Sequence, residues 1–385
     1  MTTRVAFYVQ HLLGIGHVVR ARRIAEALLE AGADVRLILG GLPVGSLIPD
    51  TFDVTQLPPI EAMTGGFKAL ADEHGQPIDD AFRENRRRIL EDSVERIAPD
   101  VLIFEAFPFA RRQMRFELIP LLERLHAMPG RRPLIVSSIR DILQERVKPS
   151  RHEESLETLN RFFDLVLVHG DPSLAALEET FPLTPRIEPD IFYTGIVAPK
   201  PKPPAEGRRF DIVVSAGGGA TGRDIMHAAL DAARDPRLSK FSVIMLTGPN
   251  LSEEDFQALQ SRKPAHVAVE RFCDDLAGLL GTARLSVSRA GYNTVADIIV
   301  AGCKAVLVPF DKDSESEQSH RADMLKKMGR VEILREADLS AHTLVDTALS
   351  AMSGRTEPVK IDADGAARSA AILMERAKGT SCSAG

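Results

Sequence analysis

The feature that most constrains the fold is a pattern that occurs twice. A short apolar run, Arg4 to Val9, leads into the loop Gln10-His11-Leu12-Leu13-Gly14-Ile15-Gly16-His17. A helix follows, its apolar positions Ala21, Ile24, Ala25 and Leu28 recurring at helical spacing. The run Asp211 to Ser215 restarts the pattern. It leads into Ala216-Gly217-Gly218-Gly219-Ala220-Thr221-Gly222 and a helix with Ile225, Ala228, Ala229 and Ala232 on one face. Between the two copies, residues 198–207 contain four prolines, which neither a helix interior nor a central strand tolerates. This stretch is the predicted interdomain linker, separating residues 1–197 from 208–363.

Each copy predicts a strand–helix–strand unit. In the first, Gly32 closes the helix and Val35 to Leu39 is the next strand, so the sheet is parallel. Further apolar runs at 101–104, 134–137 and 164–168, and at 242–246, 266–269, 285–287 and 305–308, continue the strands. A helix is expected over 79–97, and a long loop over 60–78 carries Met63 and Phe67. The fold class is α/β: two doubly wound parallel-sheet domains facing across a cleft. Ligands in such sheets sit beyond the carboxyl ends of the strands.

Composition narrows the function. The net charge is −6 and neither half is basic, which argues against nucleic acid. Two basic clusters, Arg86-Arg87-Arg88 and Arg111-Arg112, read first as solvated helix or loop faces, with an anion or membrane contact as the minority reading. Three cysteines, Cys273, Cys303 and Cys382, are too few and too scattered for a disulfide framework or a zinc site. No apolar run is long enough to span a bilayer, and no signal-peptide pattern opens the chain. The expectation is a soluble cytoplasmic protein, with peripheral contact to the inner face of the membrane left open. Met63, Phe67 and the segment Phe107-Pro108-Phe109 either touch lipid or a hydrophobic acceptor, or pack in the core.

Chemistry concentrates at the strand ends. Ser288-Arg289-Ala290-Gly291-Tyr292-Asn293-Thr294-Val295-Ala296-Asp297 turns from a strand through glycine into a helix beginning near Thr294. Such a turn offers backbone N–H groups and a positive dipole end to an anion. Asp297, expected in the first helical turn, faces a ligand held there. Arg289 either adds charge or forms a structural salt bridge. In the first half, His17 lies at a helix start after Gly14 and Gly16; the dipole favours a neutral imidazole, which suits a general base. Glu105 and Asp141, at the ends of other strands, are rival bases. His11, His169 and His320 read as locally satisfied loop residues, and Asp311-Lys312-Asp313 as a solvated loop. No DxD-type motif marks a strand end, so no catalytic metal and no cofactor is predicted.

These loops resemble GT-B glycosyltransferases. Gly217-Gly218-Gly219, Arg271-Phe272-Cys273-Asp274-Asp275-Leu276, Ser288-Arg289-Ala290-Gly291, Thr294-Val295-Ala296-Asp297 and Val308-Pro309-Phe310 with Glu317-Gln318 are similar, in order and spacing, to the donor domain of MurG-type N-acetylglucosaminyltransferases. The loop Gly14-Ile15-Gly16-His17-Val18-Val19-Arg20 resembles the GxGH loop of those transferases, and resembles even more the GxGHxxR loop of the pseudaminic-acid-pathway UDP-sugar hydrolases, which share the fold. The closest overall resemblance is to a group of bacterial predicted glycosyltransferases. The resemblance implies that Asp297 holds the ribose of a UDP-sugar, where the family usually has Glu. It implies that Phe272 and Cys273 pack at the uracil. Gly217, Gly218, Gly219, Ala290 and Gly291 would bring N–H groups to the diphosphate, and Glu317 and Gln318 would reach the sugar hydroxyls. Gly14, Gly16, Arg289, Asn293 and Thr294 complete the donor-binding set. The last helix, 364–378, is expected to cross back to the first domain, as in that fold.

The expected function is a metal-independent, inverting transfer of a sugar, N-acetylhexosamine foremost, from a UDP-sugar to a glycan, lipid-linked or small-molecule acceptor. A UDP-sugar hydrolase of the same fold is the first alternative. A non-enzymatic nucleotide-sugar-binding protein is the second, and a UDP-sugar 2-epimerase ranks below both.

Overall fold

The computed structural model describes residues 2–12, 14–63, 70–143, 148–200, 208–217, 222–310, 316–355 and 361–382. The first domain runs β1 (Arg4–Val9), α1 (Gly16–Glu30), β2 (Asp34–Leu39), β3 (Asp53–Gln56), β4 (Glu61–Ala62), β5 (Leu70–Ala71), α2 (Asp80–Ile97), β6 (Val101–Glu105), α3 (Arg115–Ala127), β7 (Leu134–Arg140), α4 (Pro149–Phe162), β8 (Leu165–His169) and β9 (Asp190–Tyr193). The second runs β10 (Ile212–Ser215), α5 (Arg223–Ala232), β11 (Val243–Leu246), α6 (Glu253–Arg262), β12 (Val267–Glu270), α7 (Leu276–Thr282), β13 (Leu285–Ser288), α8 (Tyr292–Ala301), β14 (Ala305–Leu307), α9 (Glu317–Lys327), β15 (Glu332–Ile333) and α10 (Ala341–Ser353). The helix α11 (Gly365–Cys382) ends the described chain.

The strands of the first domain lie in the order β3-β2-β1-β6-β7-β8-β9 and those of the second in the order β12-β11-β10-β13-β14-β15. Both sheets are parallel throughout. Parallel sheets need cover on both faces, and β1 reads accordingly. Val5, Phe7 and Val9 pack on the side of α1, while Ala6 and Tyr8 pack on the side of α2 and α3; all five are buried. Strand order reverses between β1 and β6 and again between β10 and β13, which is where such sheets open a crevice.

Local signals account for the helix ends. Gly32 follows α1 at φ +85°, a conformation that suits glycine. Asp79 caps α2 by accepting the amide of Phe82 at 2.7 Å. Two expectations need correcting. The 60–78 segment carries the short antiparallel pair β4–β5 rather than loop alone. Arg86 is not solvated: it is fully buried, donating to Glu117 at 2.7 Å, to the Gln10 side chain at 2.7 Å and to the Gly40 carbonyl at 2.9 Å. Its neighbour Arg87 does sit at the surface, pairing with Glu84 and Glu91. Phe107 is a core residue against Phe104 and Phe163, Phe109 packs edge-on to Phe181, and Phe67 lies outside the described residues.

Helix α11 packs on the first domain. Ala370, Leu373 and Ala377 share a core with Ala21 and Leu28 of α1, and Arg376 pairs with Asp190 at 2.7 Å. The chain's two passages between domains touch, through a bridge between Val197 and Asp364. A Cβ on Gly365 would come within 2.4 Å of the Gly195 carbonyl, so the contact requires glycine. Among the described residues no helix is long and apolar enough to cross a membrane.

Candidate active site

A cleft of about 1500 Å³ lies between the carboxyl ends of the two sheets. The loops after β1 and β6 form one wall, and those after β10 and β13 the other.

On the first wall, His17 is the second residue of α1 and lines the cleft. Its Nδ1 is 3.0 Å from Oε1 of Glu105, the last residue of β6. Burial would raise the Glu105 carboxyl, but Arg20 beside it and the His17 hydrogen bond outweigh burial and hold it at about 2. Glu105 is therefore ionised and accepts, so Nδ1 carries the proton and Nε2 the lone pair. Burial chiefly, then the charge of Arg111, lowers His17 to about 3, and the contact with Glu105 only partly opposes them. The neutral imidazole predicted from the helix dipole is thus maintained mainly by burial.

Glu105 itself is fully buried and does not line the cleft. The rival base is corrected to a group that orients His17. Its other oxygen accepts from Ser138 Oγ at 2.9 Å; that hydroxyl lies 2.9 Å from His169 Nε2, and His169 Nδ1 lies 2.9 Å from Thr194 Oγ1. Asp141 is corrected too. It is buried outside the cleft lining, where Arg321 of the second domain donates to both its oxygens at 3.1 and 2.7 Å. Burial raises its carboxyl, but Arg321 and the Ile142 amide prevail and hold it low. It is one half of a bidentate interdomain ion pair, with no proton affinity to spare.

On the second wall, α8 begins at Tyr292, earlier than expected, which moves Asp297 from the first turn to the second. Gly291 caps the helix without a side-chain hydrogen bond, and Gly291, Tyr292, Asn293 and Thr294 all line the cleft, so the N-terminus of α8 borders it. Gly217 stands opposite at φ +74°; Gly218, Gly219 and the 311–313 triplet lie outside the described residues. Phe272 borders the cleft at 48% exposure, beside Cys273, whose thiol is raised by burial. Asp297 lines the cleft but is buried, and burial pushes its carboxyl up to about 6 against the opposing charge of Arg23, which donates to it at 2.8 Å.

Several donor-side residues are engaged by the protein itself. Arg289 pairs with Glu336 at 2.8 Å and donates to the Val308 carbonyl at 3.2 Å, which fits the salt-bridge reading of that side chain. The amide of Ala290, assigned above to a diphosphate, instead donates to Gln318 Oε1 at 3.1 Å, and Ala290 does not line the cleft. Gln318 also receives the Phe310 amide at 3.1 Å. Glu317 sits between Arg140 of the first domain at 2.6 Å and Arg321 at 2.7 Å.

Contacts between the walls were not legible in the sequence. Asn293 donates to the Gly16 carbonyl at 3.0 Å, and a Cβ on Gly16 would meet that amide at 3.2 Å. Tyr292 donates to the His169 carbonyl at 2.9 Å, and the guanidinium groups of Arg20 and Arg321 lie over its ring at 5.2 and 5.6 Å from the ring centre. Arg111 is also misread as solvated: it lines the cleft beside His17. Only Arg20 left a usable trace, since GxGHxxR places it three residues after His17 on one helix face. Among the described residues no cluster of three or more His, Cys, Asp or Glu side chains has metal-holding geometry.

Two parallel-sheet domains meeting at such a cleft are the architecture of a GT-B glycosyltransferase. The fold is similar to that of the calicheamicin glycosyltransferase (TM-score 0.60, 15% identity, 100% of this chain and 97% of that one). It is similar also to MurG of Acinetobacter baumannii (TM-score 0.56, 15% identity, 99% of each chain). Residues 212–374 match the Glycosyltransferase family 28 C-terminal domain. A relative from Trichlorobacter lovleyi, a UDP-N-acetylglucosamine--N-acetylmuramyl-(pentapeptide) pyrophosphoryl-undecaprenol N-acetylglucosamine transferase, is 26% identical over 74% of this chain and 73% of its own length. The enzyme of the same name from Acidithiobacillus ferrooxidans is 32% identical over 34% of this chain and 36% of its own.

Proposed function

We propose that the chain transfers a sugar, N-acetylhexosamine foremost, from a UDP-sugar to an acceptor hydroxyl by single displacement with inversion and without a metal. The observation that carries this reading is the pairing across the cleft. His17, oriented by buried Glu105, lines the same cleft as the start of α8, where Gly291 provides no side-chain cap. The acceptor hydroxyl gives its proton to His17 Nε2 while its oxygen bonds to the sugar's anomeric carbon. The bond from that carbon to the diphosphate oxygen breaks, and its electron pair leaves with UDP. The α8 amides and the Gly217 loop stabilise the charge that develops there. Ionised Glu105 stabilises the imidazolium that forms, as the carboxylate does in a serine-protease triad. Asp297 would receive the ribose hydroxyls, exchanging its bond to Arg23 for them. The name of the Trichlorobacter lovleyi relative supports a UDP-N-acetylhexosamine donor and a lipid-linked acceptor as the first pair to try.

The test is a panel of nucleotide sugars screened for thermal stabilisation and then for UDP release with and without acceptors. Stabilisation by a UDP-sugar, with release only when acceptor is added, is expected. Rapid release with free sugar in water alone would make the enzyme a hydrolase. Unchanged turnover in both His17→Ala and Asp297→Ala would overturn the assignment.

A further inference from the structure

The arginines around His17 are not equally provided for. Arg20 has Glu105, while Arg140 and Arg321 share Glu317 and Asp141. Arg111 has no carboxylate partner among the described residues. Its Nε donates to the Gln10 carbonyl at 2.7 Å, which fixes the side chain. Its two terminal nitrogens make no hydrogen bond among the described residues, and the side chain lines the cleft. Burial and then Arg140 lower its pKa to about 10, with Glu105 and Tyr8 opposing. Its backbone is left-handed, at φ +61° and ψ 31°, a conformation that costs an arginine of order 1 kcal/mol. The adjacent Arg112 is exposed and has its own partner in Glu154. An arginine fork held in a costly conformation, half-desolvated and without a carboxylate partner among the described residues, is what an incoming oxyanion would complete.

We infer that Arg111, with Arg140 beside it, binds an oxyanion, a carboxylate or a phosphoryl group, carried by the acceptor close to the hydroxyl that His17 activates. This rests on the transferase reading above. The donor diphosphate is assigned to the opposite wall, at α8, so this anion belongs to the other substrate. Its arrival also bears on the chemistry. The charge of Arg111 is the largest effect after burial that depresses His17. An acceptor that neutralises Arg111 makes His17 a stronger base at the moment its hydroxyl is in place. A neutral acceptor would bind without that gain.

The experiment uses the whole chain saturated with UDP, so that the diphosphate position is filled. Inorganic phosphate and glucuronate are titrated separately by calorimetry, with glucose as the neutral control. At least one anion binds, and Arg111→Gln weakens it about tenfold or more while the affinity for UDP stays as in the wild type. Arg111→Lys recovers part of the binding, and Arg112→Gln changes nothing. Binding of phosphate alone identifies a phosphoryl group, and binding of glucuronate alone a carboxylate. The His17 imidazole, followed by NMR, titrates at higher pH when the bound anion is present, in the wild type and not in Arg111→Gln. Binding of neither anion, or equal binding by Arg111→Gln, overturns the inference. Failure of UDP to bind overturns the transferase reading instead, whatever the anions do.

Discussion

The two walls of the cleft solve opposite problems with the same helix. Arg20 and Arg23 stand one turn apart on α1, and each meets a carboxylate: Glu105 of its own domain and Asp297 of the other. Glu105 sits at full burial among several donors and is held near 2, whereas Asp297 has a single arginine and is raised to about 6. The first wall is therefore a pre-formed polar network that fixes one imidazole. The second leaves its carboxylate and its helix amides ready to exchange partners. Under the proposed function, this amounts to rigid positioning of the base beside an adaptable donor side, the division of labour a two-substrate enzyme needs.

The largest effect that would break this comparison is at the base. His17→Ala should lower kcat by ~10²–10⁴-fold with UDP affinity unchanged, measured by steady-state kinetics and calorimetry. Loss of UDP binding would mean that His17 belongs to the donor side. Next, Glu105→Ala leaves Arg20 buried without its anion and should cost about 3–5 kcal/mol of unfolding free energy in urea. In the wild type, the Glu105 carboxyl is held below its unfolded value, so its contribution is present above about pH 4.5 and is lost as pH falls towards 2.

Asp297 carries the reverse sign. Its carboxyl holds a proton more tightly in the folded state, so wild-type stability should fall as pH rises from about 4 to about 6. Asp297→Asn should lack that fall, as unfolding at pH 4.5 and 7 would reveal, and should weaken UDP binding about tenfold. The smallest effect is expected at Asn293, whose bond to Gly16 is one contact between the walls. Asn293→Ala should cost about 1 kcal/mol in thermal unfolding with little change in UDP affinity.

How much of this was readable beforehand follows from distance along the chain. Strands buried on both faces appear as apolar runs, and Gly32 and Asp79 mark helix ends within a few residues, so the two-domain α/β fold was legible. His17 was legible because its glycines and Arg20 are local. Asp141 was misjudged because Arg321, which fixes its role, lies 180 residues away in the other domain. Glu105 looked like a base because a strand end predicts a cleft, yet the side chain turns into the sheet's own core. Arg86 and Arg111 looked solvated because runs of arginine usually are, and their partners Glu117 and Gln10 lie far off in sequence. Tyr292 gave no sign at all: its surroundings depend on two arginines from different domains, at 5.2 and 5.6 Å from its ring centre.

The chain passes between the domains twice, and the passages touch where Val197 meets Asp364. The two strips of backbone therefore join the domains at one place rather than at two. The contacts of Arg23 with Asp297, Arg140 with Glu317 and Arg321 with Asp141 then act as latches across the gap. A nucleotide that claimed Asp297 would free Arg23 and leave the other two of these three ion pairs in place.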